Sequence, residues 1–353
     1  MKSKEDIIDE VFEKYDVIQR IGRGRSGVVY KAFDKSLQTQ VAIKRVYEVF
    51  KLKTEAERFL REIKLLEFLG RHPNVIKLHN VLRSDKDFDL YLVFDYMEAN
   101  LFNVIRAKML SEQHVKLITY QLLKAVKFIH SVDLINRNLK PNNILVNSDC
   151  KIKIDDFSLA KPLNSVDDFN LITDYVATRW YRAPELLLGS TKVGKPADVW
   201  SVGCILGEML NGKTVFPGTC TLNQLNLIVS LTGFPSKDDI QDIQGTLTGL
   251  LESVKKITPR FLNEVFIEAS YDAVDLLTKL LHFNPKKRFT VDEALAHPFF
   301  AEFRIPEEEV VFEGENTLDL EITEDMRNKI AEYRENYSDE KISRLTTGIK
   351  ITK

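Results

Sequence analysis

The strongest constraint on the fold of this chain is a change of hydrophobic pattern near residue 100. Before it, runs rich in Val, Ile, Tyr and Phe are separated by turn residues, the pattern of β-strands, at residues 15–20, 27–33, 40–46 and 90–94. From Leu101 onward, apolar residues recur at helical spacing. The sequence therefore predicts an α+β protein with a small strand-rich lobe, a short link and a large helical lobe, and a cleft between the lobes.

Three segments carry the helical prediction. Residues 54–57, T-E-A-E, have a capping-box pattern that would begin a helix in the strand-rich lobe, and Gly70 would end it. Residues 111–130 place apolar side chains on one face, which predicts an amphipathic helix. Residues 199–210 are apolar on nearly every side, as expected of a helix at the centre of a large core.

The composition excludes several classes of protein. The 353 residues carry a net charge of −2, which argues against broad electrostatic binding to nucleic acid or acidic membranes. The three cysteines have no metal-ligand spacing, which favours reduced thiols inside a cell. No apolar run reaches the ~18 residues of a membrane span, and charged residues open the chain, where a secretory signal would be apolar. We expect an intracellular protein, cytoplasmic, nuclear or both, that neither binds nucleic acid nor inserts into membranes.

Residues 22–29 read G-x-G-x-x-G-x-V between two predicted strands. The glycines Gly22, Gly24 and Gly27 would let backbone N–H groups approach phosphate oxygens without a Cβ clash. A plain strand–turn–strand also fits the pattern. A dinucleotide site would need a helix directly after the glycines, and residues 28–33 read as a strand, which excludes the Rossmann type of site.

Residues 41–44, V-A-I-K, place Lys44 on the following strand. A cation at this position suits the α- and β-phosphates of a nucleotide, and Glu62 on the capped helix could pair with it. A solvated strand lysine and a surface glutamate are the plain alternatives.

Residues 134–143 read L-I-N-R-N-L-K-P-N-N, close to the pattern H-R-D-L-x-x-x-N. The Asp of that pattern accepts a proton from a substrate hydroxyl, but this chain has Asn138 there. An amide oxygen can accept a hydrogen bond and orient a hydroxyl, yet it cannot hold a proton near neutral pH. Asn136 replaces the His of the pattern, which we expect to impair alignment rather than binding.

Asn143 and Asp156 are the candidate magnesium ligands, because their oxygens suit a hard cation that bridges phosphates. Residues 156–158 read D-F-S where D-F-G is expected. The Cβ of Ser158 disfavours positive φ, so this loop should have fewer accessible conformations than with Gly.

Two further carboxylates are predicted to be structural. Glu185 ends the A-P-E run at residues 183–185, and Arg288 is its expected buried partner. Asp198 opens the apolar helix and should anchor the backbone of residues 134–143.

In this order, these motifs resemble those of the eukaryotic protein kinases over nearly residues 15–300. Residues 173–185, T-D-Y followed by V-A-T-R-W-Y-R-A-P-E, are similar to a mitogen-activated protein (MAP) kinase, a CMGC-type Ser/Thr kinase. Residues 90–98 and 332–334 most resemble its atypical extracellular-signal-regulated branch. The resemblance implies the bilobal protein-kinase fold, with a MAP-kinase insert at residues 211–264.

The same resemblance implies a division of the chain, in order, into an N-terminal extension at residues 1–14, an N-lobe at 15–94, a hinge at 95–100, a C-lobe at 101–300 and a tail at 301–353. The tail is expected to pack on the kinase domain through apolar residues at helical spacing: Met326, Ile330, Tyr333 and Tyr337.

The resemblance further implies ATP and Mg²⁺ as cofactors. Bonds from the adenine to the backbone would be made at Asp95 and Met97. The full set of implied ATP-binding residues is Ile21, Gly22, Gly24, Gly27, Val29, Ala42, Lys44, Asp95, Met97 and Leu145. The implied catalytic residues are Lys44, Glu62, Lys140 and, at the position of the base, Asn138.

Thr173 and Tyr175 are implied phosphorylation switches, filled by an upstream kinase or by autophosphorylation. Basic side chains would form charge-assisted bonds to the phosphates. Those expected at phospho-Thr173 are Arg61, Arg137 and Lys161, and those expected at phospho-Tyr175 are Arg179 and Arg182.

Implied partners are protein substrates with Ser/Thr-Pro sites and proteins with basic docking motifs. The acidic run at residues 307–309 resembles a docking groove for such motifs, although a solvated acidic loop also explains it.

Three functions follow for a chain without the motif's base. General acid–base assistance typically contributes ~10²–10⁴-fold to a rate, so the chain could be a weak MAP-kinase-like enzyme. It could equally be a catalytically dead pseudokinase whose shape responds to nucleotide and phosphorylation. The third, an interaction protein that ignores ATP, is disfavoured because the following residues are intact: Lys44, Glu62, Asn143 and Asp156.

Overall fold

The computed structural model describes residues 9–24, 27–47, 49, 52–83, 89–163, 179–255 and 258–313. Contacts divide them into two compact units, the first ending at Met97 and the second beginning at Glu98. The first unit is built on an antiparallel sheet and the second is mostly helical, so the α+β prediction with two lobes is confirmed. Within the described ranges, no helix combines the length and apolar character needed to cross a bilayer.

A five-stranded antiparallel sheet with the order β1-β2-β3-β5-β4 forms the first unit. Its elements, in chain order, are α1 Asp9–Lys14, β1 Tyr15–Gly24, β2 Gly27–Asp34, β3 Thr39–Val46, α2 Lys53–Leu69, β4 Leu78–Arg83 and β5 Leu90–Asp95. Four of these strands were predicted. The sequence did not predict β4, because an irregularity in its pairing with β5 between Leu78 and Asn80 breaks the alternation on which strand recognition depends.

Side chains that alternate along the strands give the sheet two buried faces. On one face, residues of α2 pack against the sheet in a cluster that contains Val46, Ala56, Leu60, Ile63, Leu90 and Leu92. On the other, the buried cluster contains Val11, Tyr15, Ala32, Val41, Ile43, Tyr91 and Val93. The sheet is therefore fixed in position from both sides.

The predicted capping box at residues 54–57 is wrong. Helix α2 begins at Lys53, and its N-cap is Leu52, whose side chain makes no capping hydrogen bond. The apolar positions that pack on the sheet set where this helix lies, and they place Thr54 inside its first turn, where it cannot serve as the cap. The predicted end at Gly70 is confirmed, since the N–H of Gly70 donates to the carbonyl of Leu66.

The helices of the second unit are α3 Leu101–Arg106, α4 Glu112–Ser131, α5 Pro184–Leu187, α6 Pro196–Asn211, α7 Thr221–Thr232, α8 Lys237–Ile243, α9 Leu262–Val265, α10 Tyr271–Leu280 and α11 Val291–Leu295. Its short strands are β6 Ala99–Asn100, β7 Leu134–Ile135, β8 Ile144–Val146, β9 Ile152–Ile154 and β10 Lys161–Pro162. Ser111 caps α4, and the apolar α6 is buried along nearly its whole length. The position of α4 and the burial of α6 agree with the sequence prediction.

A buried ion pair joins α5 to the segment that follows α10. Nη1 and Nη2 of Arg288 lie 2.9 and 3.1 Å from the two carboxylate oxygens of Glu185. Both side chains are almost entirely shielded from solvent. Nη1 of Arg288 also donates to the carbonyl of Pro196 at the start of α6. The predicted Glu185–Arg288 partnership is thus confirmed, and it ties three segments of the second unit together.

We expect Arg288→Ala to destabilise the protein by about 3–5 kcal/mol, because it leaves the Glu185 carboxylate buried without its cation. Lys195→Ala is the matched control. The Lys195 ammonium lies 2.9 Å from Asp133 with both side chains well exposed, and such pairs contribute less than about 1 kcal/mol. Urea unfolding followed by circular dichroism measures both costs. Equal costs would contradict the structural role of the buried pair.

The segment after α11 is held against α4 by its own acidic residues. The Glu309 carboxylate is buried and accepts hydrogen bonds from Lys127 and Arg304, at 3.2 and 2.7 Å. Glu308 pairs with Lys124 of α4 at 2.8 Å, whereas Glu307 is exposed. Neither sequence interpretation of residues 307–309 describes Glu309, because this carboxylate is neither solvated nor open to a basic peptide.

The stability that Glu309 contributes should depend on pH. Burial alone would raise the pKa of Glu309, but the bonds from Arg304 and Lys127 offset it and lower that pKa below its ordinary 4.5. A lowered folded-state pKa stabilises the fold fully above pH 4.5, and the contribution is lost as the pH falls through the folded-state pKa. Glu309→Gln should therefore be less stable than the wild type at pH 7, and the difference should shrink in acid. Thermal melts against pH test this, with the exposed Glu307→Gln as the control that should show no such trend.

Candidate active site

Gly22, Gly24 and Gly27 lie in the hairpin between β1 and β2, where Gly24 pairs with Gly27. A Cβ on Gly27 would lie 1.9 Å from the carbonyl oxygen of Arg45, so packing alone requires glycine there. A Cβ on Gly24 would meet no atom within 4 Å, and one on Gly22 would be in ordinary contact, at 3.5 Å from Val29. Packing among the described residues therefore requires glycine at position 27 but not at positions 22 and 24.

Lys44 shares one face of the sheet with Val29 and Ala42. Antiparallel pairing sets Lys44 opposite Val29 on β2 and opposite Leu92 on β5. Leu92 packs in the cluster that includes Ile63 of α2, so Lys44 lies on the side of the sheet that α2 covers. Glu62 directly precedes Ile63 on that helix, and the Lys44–Glu62 pair stays a prediction that this placement supports.

The remaining implied ATP-binding residues are distributed over both units. Ile21 is exposed on β1, Met97 is buried, and Leu145 is half-buried on β8. The Asp95 carboxylate is bonded to the His79 ring at 2.7 Å, and its backbone N–H lies 3.4 Å from the carbonyl oxygen of Lys77.

In the second unit, the buried carboxylate of Asp198 holds the loop at residues 134–143. Its two oxygens accept the backbone N–H groups of Asn136 and Arg137, each at 2.8 Å, and one of them is also bonded to the His130 ring at 2.9 Å. Arg137 has a φ of +62°, a left-handed conformation that non-glycine residues rarely adopt. The predicted anchoring role of Asp198 is confirmed, and these bonds hold the strained turn.

Asn136 connects this loop to the segment that contains Asp156. Its side-chain oxygen accepts the backbone N–H of Asn138 at 3.0 Å, and its Nδ2 donates to the carbonyl of Asp156 at 2.9 Å. The side chain is completely buried. We expected Asn136 to impair alignment, but its two bonds fix the loop and the Asp156 segment relative to each other.

Four side chains converge in what we call the Asp156 cluster: Asn138, Asn143, Asp156 and Ser158. Nδ2 of Asn138 and Nδ2 of Asn143 both donate to Oδ2 of Asp156, at 2.8 and 3.0 Å. The backbone N–H and the hydroxyl of Ser158 both donate to Oδ1, at 3.0 and 2.7 Å. The structure thus brings the predicted base position and both predicted metal ligands together.

Ser158 was predicted only as a restriction on loop conformation, and its hydroxyl bond to Asp156 was missed. The signal was present in the sequence, because a Ser two residues after an Asp commonly donates to that carboxylate in a tight turn. Lys140 lies in the same loop and is half-buried, and its carbonyl accepts the N–H of Asn143.

The implied switch residues Thr173 and Tyr175 lie outside the described residues. Of the basic side chains assigned to their phosphates, Arg61 lies on α2 in the first unit and the others lie in the second. Lys161 pairs with Ile135, two residues before Arg137. Arg179 donates to the carbonyl of Thr219 at 2.8 Å, and Arg182 is half-buried.

Comparison with known proteins identifies the family. The family described as "Protein kinase domain" matches residues 15–300. Over 94% of this chain and 91% of its own length, a protein of Dictyostelium discoideum named extracellular signal-regulated kinase 2 is 49% identical. The chain is a protein kinase of the MAP kinase family. Mitogen-activated protein kinase 15 of Xenopus laevis is 44% identical over 93% of this chain, and extracellular signal-regulated kinase 7 of Drosophila melanogaster is 40% identical over 84%. The chain spans 57% and 34% of these two proteins, respectively.

In this kinase, the oxygen donors fit Mg²⁺. That ion usually binds through one or two carboxylates together with substrate phosphates and water, rather than through a cage made of protein alone. Asp156 offers a carboxylate and Asn143 an amide oxygen, held next to each other by the 3.0 Å bond between them.

The carboxylate of Asp198 gives a direct test of the loop's anchorage. Asp198→Asn replaces one acceptor oxygen by an NH₂ group that faces a donor, so we expect a loss of about 1–3 kcal/mol. Hydrogen exchange of the amides of Asn136 and Arg137 should also become faster, since their acceptor is impaired. Mass spectrometry or NMR measures the rate of hydrogen exchange at both amides. In the control, Asp133→Asn at an exposed turn, exchange at those two amides should be unchanged, and equal protection in both variants would contradict the anchoring role.

Proposed function

We propose that this MAP kinase family member binds ATP with Mg²⁺ and acts as an intracellular Ser/Thr kinase whose phosphate transfer is strongly reduced. The observation that supports the proposal is the Asp156 cluster. It assembles the oxygen donors for a metal next to Asn138, which stands where a base is needed and carries an amide. The oxygen donors for a metal are in place, and the residue at the position of the base is an amide. This combination favours retained nucleotide binding with slow phosphate transfer.

The phosphates would be held by backbone groups, a lysine and a metal site. Without a Cβ at Gly22 and Gly24, a phosphate could approach the backbone closely, and Lys44 would supply a cation from the sheet. Asn143 and Asp156 would hold Mg²⁺, which would neutralise phosphate charge when bound. Because the transition state of phosphoryl transfer is usually loose, positioning and charge stabilisation do most of the work, and these residues can still provide them.

The role of Asn138 follows from its geometry. Its NH₂ group is directed to Asp156, so its Oδ1 remains as the acceptor for a substrate hydroxyl. That oxygen can orient the hydroxyl but cannot take its proton near neutral pH. The loss of general-base assistance costs typically ~10²–10⁴-fold in rate, or roughly 3–5 kcal/mol.

Regulation and partners are proposed by family. Thr173 and Tyr175 are the proposed phosphorylation sites, modified by an upstream kinase or by autophosphorylation, and substrates would carry Ser/Thr-Pro sites. Arg137 supports the proposed phosphorylation sites. It is retained between two altered neighbours, and Asp198 holds it in a constrained conformation. Docking through residues 307–309 is disfavoured, since Glu308 and Glu309 are already paired with lysines of α4.

A catalytically dead pseudokinase that responds to nucleotide and phosphorylation is the second candidate. The specific observation in its favour is that both oxygens of Asp156 are already bonded to protein donors. In this alternative, ATP binding controls the shape of the protein and hence a partner, and no phosphate is transferred.

Purified protein should show a rise in melting temperature with Mg-ATP and little transfer to a Ser/Thr-Pro peptide. Asn138→Asp should increase transfer by about 10²-fold or more, because it restores the base. Asn142→Asp is the matched control, since it adds a carboxylate to the same loop at an exposed position and should not increase transfer. Lys44→Met should lower both nucleotide affinity and residual transfer.

The possible results separate the candidates. No gain in Asn138→Asp, together with an intact ATP-dependent thermal shift, would favour the pseudokinase. No thermal shift with any nucleotide would contradict both candidates. Brisk transfer by the wild type would show that another group serves as the base.

A further inference from the structure

The hydrogen bonds around Asp156 fill its capacity as an acceptor. An ionised carboxylate has about four lone-pair positions on its two oxygens. Two donors lie on Oδ2, from Asn138 and Asn143, and two lie on Oδ1, both from Ser158. All are between 2.7 and 3.0 Å, within the range of good hydrogen bonds. Protein groups therefore satisfy the charge of Asp156 on every side.

Two of these donors exist only because the chain departs from the motif. An Asp at position 138 has no N–H to give, and a Gly at position 158 has no hydroxyl. With the residues of H-R-D and D-F-G, Asp156 would keep only the amide of Asn143 and the backbone N–H of residue 158. Substitutions on two separate loops thus act on a single carboxylate.

The charge at position 138 also acts against cation binding, as the added hydrogen-bond donors do. An Asp at position 138 would place a second carboxylate where the Asn138 amide now lies, 2.8 Å from Asp156. Two carboxylates so close repel each other, and a divalent cation relieves that repulsion. The amide removes one negative charge and turns the repulsion into an attraction, so a cation has less to gain by binding.

We propose that Asn138 and Ser158 hold the Asp156 carboxylate in place of a cation, so that this kinase binds nucleotide with little dependence on Mg²⁺. A metal ion must first displace the amide of Asn138 or the hydroxyl of Ser158 from Asp156. If Mg²⁺ and nucleotide bind with weak coupling, Mg²⁺ changes the affinity for nucleotide by a small factor only. Nucleotide changes the affinity for Mg²⁺ by the same factor. The inference rests on the proposed nucleotide site and specifies its regulation. The protein would respond to the concentration of nucleotide at any level of free Mg²⁺.

Binding of a fluorescent ADP analogue to the full chain, in MgCl₂ and in EDTA, tests this. The measured quantity is the ratio of the two dissociation constants for each variant. Because both constants belong to the same protein, any general effect of a substitution on folding cancels. The wild-type ratio should be below about 5-fold, the lower end of typical coupling between two ligands. Ser158→Ala and Asn138→Ala should each raise it by about 5–10-fold, and the double variant should raise it further.

Ser148→Ala provides the matched control. The Ser148 hydroxyl also donates to a carboxylate, that of Glu98 at 3.2 Å, but at an exposed position outside the Asp156 cluster. Its ratio should equal that of the wild type. Melting temperatures of all variants show that each remains folded, so that loss of binding can be told from loss of structure.

Each alternative outcome has a distinct meaning. A large Mg²⁺ dependence in the wild type that Ser158→Ala and Asn138→Ala leave unchanged would overturn the inference alone. An increase in Asn138→Asp without one in Asn138→Ala or Ser158→Ala would also overturn it, because charge and not hydrogen bonding would then set the metal affinity. No binding of the analogue by the folded wild type, with or without metal, would overturn the proposed nucleotide site, and the inference with it.

Discussion

The buried carboxylate of Asp198 is the interaction on which the arrangement of the site depends. It satisfies two consecutive backbone N–H groups and the His130 ring, and so it supports a left-handed residue, Arg137, in the middle of the loop. Buried donors without partners are costly, so this one acceptor fixes where the neighbouring side chains can point. Asn136 and Asn138 can reach the Asp156 segment only because the backbone between them is held in this conformation.

The loop shows how an altered motif can stay structurally ordered. His and Asp of the family pattern are both replaced by Asn, which changes two residues that could carry charge into two neutral amides. An amide side chain has both a donor and an acceptor, and Asn136 uses both. Its oxygen accepts the backbone N–H of Asn138, and its NH₂ group donates to the carbonyl of Asp156. The two residues carry no charge, and they tie this loop to the Asp156 segment through hydrogen bonds.

Much of the fold could be predicted from the sequence, because long periodic segments such as α4 and α6 carry strong signals. The failures are local. The T-E-A-E run at residues 54–57 has the residue types of a cap, but burial of Leu60 and Ile63 decides where α2 lies. In the site, Asn143, Asp156 and Asp198 could be placed because each has a fixed position in a motif. The bonds of Asn136 and Ser158 could not, since motif comparison describes departures as losses and does not show what the new side chain contacts.

The acidic residues after α11 have a consequence for the surface of α4. Glu308 and Glu309 act as internal counterions for Lys124 and Lys127, and Arg304 completes the group. A chain cut before Glu308 would expose a basic stripe on α4, and Asp292 would stay beside Lys127. The same stretch that makes this end of the domain look acidic in sequence therefore conceals a cationic surface, and any event that detached it would reverse the sign of the charge presented there.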